Sequence, residues 1–245
     1  MNGIKHFLGL LWKILFLTYF IVSFILLYPF FFIFLSRIEW FPKAFALKKI
    51  HASLLIYGSG IRILLKKEVQ LKNDITYIFC ANHSSYFDIL LSYCIIPNYF
   101  IFMGKQELAK VPLFNIFFKE MDILVDRKSN AGAHKAFLKA GTCIDKGQST
   151  FIFPEGTISK DAPRLGPFKN GAFKLAIDKQ VPIVPITFMN NFELFQDAPF
   201  WKAKSGPGIA RIIIHTPIET KGMTAEDLLP LRSKVYSIID ATLKG

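Results

Sequence analysis

From Ile14 to Leu35 the chain carries no charge; Lys13 stands immediately before this run and Arg37 just beyond it. Its 22 residues, at about 1.5 Å each, match the roughly 30 Å hydrocarbon core of a bilayer, so the segment is long enough for a spanning helix. A cleavable leader is disfavoured, because the apolar run is long and no small-x-small site comes after it. Pro29 lies inside the run and predicts a kink or break there. The alternative to a span is therefore a helix-break-helix wedge that dips into one leaflet. Its second arm would take in Trp40-Phe41 and the basic-apolar stretch from Lys43 to Ile56, where Lys48-Lys49 flank apolar residues as in an interfacial helix. In both cases Arg37, Lys43, Lys48 and Lys49 outweigh Lys5 and Lys13, which predicts a cytoplasmic location for the rest of the chain.

Beyond this segment there is room for one folded unit. The chain's 245 residues, 52% of them hydrophobic, suffice for one substantial domain plus an anchoring segment and are too few for two full domains. We divide it into an anchoring helical segment, residues 1–56, and an α/β domain, residues 57–245. The formal charge of +12, from 30 Lys+Arg against 18 Asp+Glu, points to a polyanionic partner. The apolar N-terminus favours an anionic membrane surface; nucleic acid is excluded as a partner, since the basic residues are scattered and no nucleic-acid motif appears. Cys80, Cys94 and Cys143 lack metal spacing and read as reduced, buried residues of a cytosol-facing protein.

Short β-branched and aromatic runs alternate with amphipathic ones, the pattern of an α/β fold with a mixed sheet flanked by helices. Strands are expected over 61–65 at an edge, 75–81, 99–103, 122–125, 150–153, 181–188 and 209–214. Helices are expected from about 86 to 96, over 113–119, over 129–146 where Gly147 stops it, through Ile177, and over 224–243 behind Thr224-x-x-Asp227. Pro182 and Pro185 limit ladder pairing, so the 181–188 strand is expected at an edge or with an irregularity.

Polar residues gather where these strands end. Asn82-His83-Ser84-Ser85-Tyr86-Phe87-Asp88 places an imidazole and a carboxylate five residues apart at a strand-to-helix junction. A histidine there, followed within a turn by a carboxylate able to hold its ring, suits a general base acting on an alcohol. Ser85 and Asp88 also read as a capping box, with Asp in the usual place of Glu, which leaves His83 unexplained. Gly104-Lys105 ends one strand and Asp126-Arg127 another; either cation could meet a phosphate, Arg127 the better for its planar fork. Locally, Asp126-Arg127 reads equally well as a surface ion pair, and Pro154-Glu155-Gly156-Thr157 as a β-turn. Lys169 precedes another loop-to-helix entry suited to anions. Open α/β sheets bind ligands at carboxyl ends, so these strands predict one shared site.

Four blocks in order, Asn82-His83 with Asp88, Gly104-Lys105-Gln106-Glu107-Leu108 with Asp126-Arg127, Phe153-Pro154-Glu155-Gly156-Thr157, and Val181-Pro182-Ile183-Val184-Pro185-Ile186, resemble the glycerolipid acyltransferases. They resemble most closely the 1-acylglycerol-3-phosphate O-acyltransferases of bacterial phospholipid synthesis. The resemblance implies an α/β acyltransferase domain at the inner membrane, facing the cytoplasm. It tilts the N-terminus toward the wedge. Its reaction would move a fatty acyl group from acyl-CoA or acyl-carrier protein to the sn-2 hydroxyl of 1-acylglycerol 3-phosphate, giving phosphatidic acid, without metal or cofactor. His83 would be the base and Asp88 its support; Lys105, Arg127 and Lys169 would clamp phosphate. Glu155 would orient the acceptor or support the histidine, and the Gly156 and Thr157 amides would hold anionic oxygens. The family's third block often continues with arginine, where this chain has Ile158. Acylation of a lyso-aminolipid, of ornithine or glycine type, is therefore the second reading of the acceptor. From other classes come a thioesterase using the same His-Asp pair and a basic membrane protein needing neither residue.

Overall fold

The structure, a computed structural model, describes residues 2–105, 113, 115–126 and 129–245; the side chains of residues 2, 105, 118–120 and 130 lie outside that description. Seven strands form one sheet: β1 Ile61–Lys67, β2 Ile78–Ala81, β3 Phe100–Lys105, β4 Ile123–Val125, β5 Ser149–Ile152, β6 Ile183–Phe188 and β7 Gly208–Ile214. Their spatial order is β1-β7-β6-β2-β5-β3-β4. The strands from β6 through β4 run parallel; β7 lies antiparallel to β6, and β1 parallel to β7. The mixed sheet and the edge position of β1 match the sequence expectation. The consequence for function is that β2, β3, β4, β5 and β6 all finish at one edge of the sheet.

Alternation along β2 shows how the layers form. Ile78 and Cys80 join a core with α5 (Asn130–Asp145), α6 (Gly171–Lys179) and α8 (Leu228–Lys244). Phe79 and Ala81 join the opposite core, built with α1 (Asn2–Leu35), α2 (Phe41–Gly58) and α3 (Phe87–Ile95). Successive side chains of a strand face opposite ways, so a fully apolar β2 requires helices on both sides.

The N-terminal hairpin corrects two expectations. α1 runs through Pro29 without interruption, and the break falls after Leu35, where Ile38–Trp40 form a short 3₁₀ turn. Pro29 sits on the exposed side and removes one intrahelical hydrogen bond, which the rest of a long helix tolerates. α1 also lies along the α/β domain instead of standing away from it. Trp12 and Phe16 pack on Phe87 and Phe195, while Phe24 and Phe31 reach Phe117 of α4 (Asn115–Glu120). Gly9 meets the Ser205 carbonyl so closely that a Cβ would come to 2.5 Å from that oxygen. Ile4, Leu8, Leu11, Leu15, Val22, Leu26 and Ile33 remain exposed, one stripe along the outer side.

The second correction concerns charge. Lys48 does not flank an apolar face outwardly: it forms a buried ion pair with Asp122 at 2.6 Å, and the other Asp122 oxygen accepts the Phe102 amide of β3. Lys49 donates to the Ile96 carbonyl at the end of α3 (2.7 Å), and burial lowers its pKa. Lys13 is spent on the Phe200 and Ala203 carbonyls. Of the charges weighed for topology, Lys5, Arg37 and Lys43 remain exposed, the last two over the Trp40 ring. A fixed hydrogen-bond or ion-pair partner for a lysine is set by the tertiary fold and has no local signature.

β6 is central, not at an edge, and its irregularity lies on one side only. Toward β2 it pairs from Ile183 to Ile186; toward β7 the ladder holds only Ile186–Phe188, after which Ile183 bridges to Ile218. Ile183 and Ile218 exchange both of their backbone hydrogen bonds, and the Pro185 carbonyl accepts from His215. Alternate residues address the same neighbour, so the proline nitrogen without a proton faces this loosened side.

Candidate active site

β2 ends at Ala81 and hands the chain to Asn82, whose side chain closes both hydrogen bonds with the Phe188 backbone at the end of β6. That clasp fixes where His83 leaves the sheet. The His83 amide donates to Glu155 Oε1 (2.8 Å), its carbonyl accepts from the Ser159 amide (2.8 Å), and its ring lies flat on Phe153 with centroids 3.9 Å apart. His83 Nδ1 meets Asp88 Oδ2 at 2.9 Å. A carboxylate only accepts, so Nδ1 carries the proton and the lone pair of the neutral ring sits on Nε2. Nε2 makes no hydrogen bond among the described residues, and the side chain keeps 12% of its surface exposed.

Asp88 is fully buried and accepts four hydrogen bonds: from His83, from the Ser84 amide (2.6 Å), from the Ser85 amide (2.9 Å) and, at Oδ1, from Asn191 Nδ2 (2.7 Å). The capping reading and the dyad reading therefore describe one carboxylate, which ties the start of α3 and orients the imidazole together. Ser85 Oγ accepts the Phe87 amide and donates to the Phe195 carbonyl (2.7 Å).

Asn191 is a site residue that sequence reasoning misses. It opens the short helix α7 (Asn191–Leu194) just past the end of β6. The strand-end logic that locates His83 applies there too and is the signal that could have found it.

Glu155 braces the loop. Its two oxygens accept the His83 and Gly166 amides, and burial raises its pKa against the opposing effect of those donors. Of its two expected roles this is support of the histidine, exerted through backbone. Gly156 adopts φ +77°, and a Cβ there would lie 2.9 Å from Lys169 Nζ, so glycine allows the exposed ammonium to lean over the turn. The Gly156 N–H closes that turn on the Phe153 carbonyl, so this amide is already engaged and does not point to an anion as expected. Asp126 follows β4 and packs against Gly132 of α5. Arg127 and the Lys105 side chain lie outside the described residues; the Lys105 backbone pairs with Val125 at the same sheet edge. A groove of about 430 Å³ on the hairpin, lined by Tyr19, Lys49, Ser53, Leu54 and Tyr57, contains none of these groups.

A family model described as Acyltransferase matches residues 62–189, more than half of the chain and the whole of this constellation except Asn191. The chain belongs to the acyltransferase family. Among similar members, a chloroplast 1-acyl-sn-glycerol-3-phosphate acyltransferase of Brassica napus is 32% identical over 69% of this chain and 48% of its own length. An uncharacterized acyltransferase of Schizosaccharomyces pombe is 34% identical over 74% of this chain and 65% of its own. The 1-acyl-sn-glycerol-3-phosphate acyltransferase of Salmonella typhimurium is 32% identical over 54% of each chain. The chain thus spans about half to two thirds of the length of these relatives. The crystal structure of the 1-acyl-sn-glycerophosphate acyltransferase PlsC of Thermotoga maritima superposes with a TM-score of 0.76, at 21% identity, over 100% of this chain and 97% of that one. It shares the acyltransferase fold, hairpin included.

Proposed function

We propose that this acyltransferase moves a fatty acyl group from acyl-CoA or acyl-carrier protein to the sn-2 hydroxyl of 1-acylglycerol 3-phosphate, forming phosphatidic acid at a membrane. The observation that carries this reading is the His83 ring, held by Asp88 on one nitrogen and by Phe153 on one face, with Nε2 left to accept a proton. The acceptor hydroxyl attacks the thioester carbonyl carbon while Nε2 takes its proton. Asp88 balances the imidazolium that forms. The tetrahedral intermediate breaks its C–S bond, and the imidazolium returns the proton to the departing thiolate. No acyl-enzyme is required.

Lys169, leaning over Gly156, is a cation for the acceptor phosphate or the developing oxyanion, and Lys105 and Arg127 complete the proposed clamp. Thr157 offers its amide beside them. The exposed apolar stripe of α1 supports seating in one leaflet, with the domain drawn against the bilayer. Names of the relatives support the phosphorylated acceptor; Ile158 in the third block favours the lyso-aminolipid alternative. Purified protein offered lysophosphatidic acid, its dephosphorylated counterpart and lyso-ornithine lipid, with each donor in turn, decides between them. Preference for lysophosphatidic acid supports the proposal; equal use of the first two, or faster acylation of the aminolipid, refutes it.

A further inference from the structure

The segment between β6 and β7 does more than supply Asn191. It carries Phe200 and Trp201 at its tip, 38% and 68% exposed, with their rings edge to face at 5.0 Å. Lys202 and Lys204 come next, both exposed. An ordered aromatic pair held out of the core marks an interaction surface.

The tip is also clamped from below. The Lys13 ammonium donates to the Phe200 and Ala203 carbonyls (2.9 and 3.2 Å) and lies under the Phe200 ring at 4.9 Å. His6 Nε2 meets the Trp201 carbonyl (2.8 Å), and Ser205 Oγ donates to Gly9 (2.9 Å), where the close backbone approach excludes any larger residue. These contacts set the tip at the N-terminal turns of α1, level with Ile4, Leu8 and Leu11 along the helix but on the face turned away from that exposed stripe. Tryptophan beside lysine is the composition suited to the headgroup level of an anionic bilayer. Glu193 and Asp197 are the acidic residues of the same segment; Asp197 lies at Tyr86, away from the tip.

We propose that Phe200-Trp201, with Lys202 and Lys204, is a second membrane-contact surface that sits in the headgroup region of an anionic bilayer and holds the mouth of the active site at that surface. The first half stands on the loop alone; the second rests on the acyl-transfer reading above. The linkage to the site is covalent and short. The same segment donates to Asp88 through Asn191, accepts from Ser85 at Phe195, and packs Phe195 against exposed Tyr86 beside the catalytic loop. A lysolipid lying in the leaflet therefore meets His83 without leaving the interface.

The test uses the full chain reconstituted into vesicles of phosphatidylcholine with a minor share of phosphatidylglycerol. The phosphatidylcholine is unlabelled, brominated near the carbonyl end of its chains, or brominated near their methyl end. Subtracting the emission of Trp201→Phe from that of wild type isolates Trp201 from Trp12 and Trp40. Its emission is expected to be quenched by the shallow bromines more than by the deep ones. A Trp201 component that neither set quenches, emitting as tryptophan in water, overturns the proposal. In the activity arm, Phe200→Ser/Trp201→Ser should raise the apparent KM for vesicle-borne acceptor about tenfold, the order expected when large aromatics lose an apolar boundary. Turnover of a short-chain acceptor free in solution should not change. An equal loss on both acceptors overturns the claim that the tip works through the membrane. Failure of wild type to acylate any lysolipid would instead strike the acyl-transfer reading, while the quenching result still judges the surface.

Discussion

Asp88→Asn separates chemistry from architecture, because the geometry around this carboxylate lets an amide take its place. Oδ2 receives three donors, and an amide oxygen can receive the same three. The amide nitrogen then faces Asn191, which can rotate to present Oδ1, an atom with no partner among the described residues. The fold should survive with a fall in Tm of a few degrees, as expected for about 1 kcal/mol in a chain of this size. What the amide cannot supply is the negative charge 2.9 Å from the imidazole when Nε2 takes the acceptor's proton. General-base assistance is worth about 10²- to 10⁴-fold, or about 3–5 kcal/mol, and most of it should go. Asp88→Ala is the informative contrast. It strands four donors in a buried site at about 1–3 kcal/mol each, enough to unfold the chain and so to say nothing about mechanism. The assay is the initial rate of phosphatidic acid formation at saturating donor and acceptor, beside thermal unfolding of the same samples. If Asp88→Asn keeps its rate within about threefold of wild type and loses only stability, the carboxylate is a helix cap and the mechanism falls.

Three further outcomes rest on the same kind of contact. Gly156→Ala, strained at φ +77° and colliding with Lys169, should cost about 10- to 100-fold in kcat/KM for a phosphorylated acceptor; it should add little to Lys169→Ala, and full additivity would separate the two residues. Lys48→Met leaves Asp122 buried without its cation and should cost about 3–5 kcal/mol by thermal or denaturant unfolding, with Asp122→Asn in the same chain restoring much of it; an unchanged Tm would deny the pair any role. Burial among Phe20, Phe24 and Phe31 pushes the His51 imidazole from 6.5 down to about 4. The folded chain thus binds fewer protons than the unfolded one, so stability is intact above pH 6.5 and is lost as pH falls toward 4. His51→Phe should flatten that decline in Tm, and an identical slope would place the acid sensitivity elsewhere.

Much of the fold and the site is legible in the sequence because strand ends are local features. A β-branched run closed by Asn82-His83, and another by Phe153-Pro154-Glu155, identify polar residues that a parallel sheet must bring to one edge. Neighbouring β2 and β5 do so, with β3 and β4 beyond. Contacts that depend on tertiary packing are not legible. Asn191 reaches Asp88 across 103 residues; its place just past the end of β6 is local, but its pairing with Asp88 is set by packing. Lys13, Lys48 and Lys49 resemble solvated or interfacial charges in the sequence, since burial of an ammonium depends on carbonyls and a carboxylate supplied from elsewhere. Pro185 argues for an edge because the rule concerns both neighbours of a strand, while β6 is loosened on one side only. Pro29 argues for a break that the helix does not need, the turn coming instead at residues 36–40.

The claim that His83 is the base for acyl transfer is tested most directly by single-turnover formation of phosphatidic acid from lysophosphatidic acid and a thioester donor, wild type against His83→Ala. Both proteins should first be shown to have the same Tm. The account predicts a rate at least about 10²-fold lower for His83→Ala, with lysophosphatidic acid still bound. A folded His83→Ala protein working within about threefold of wild type would contradict it.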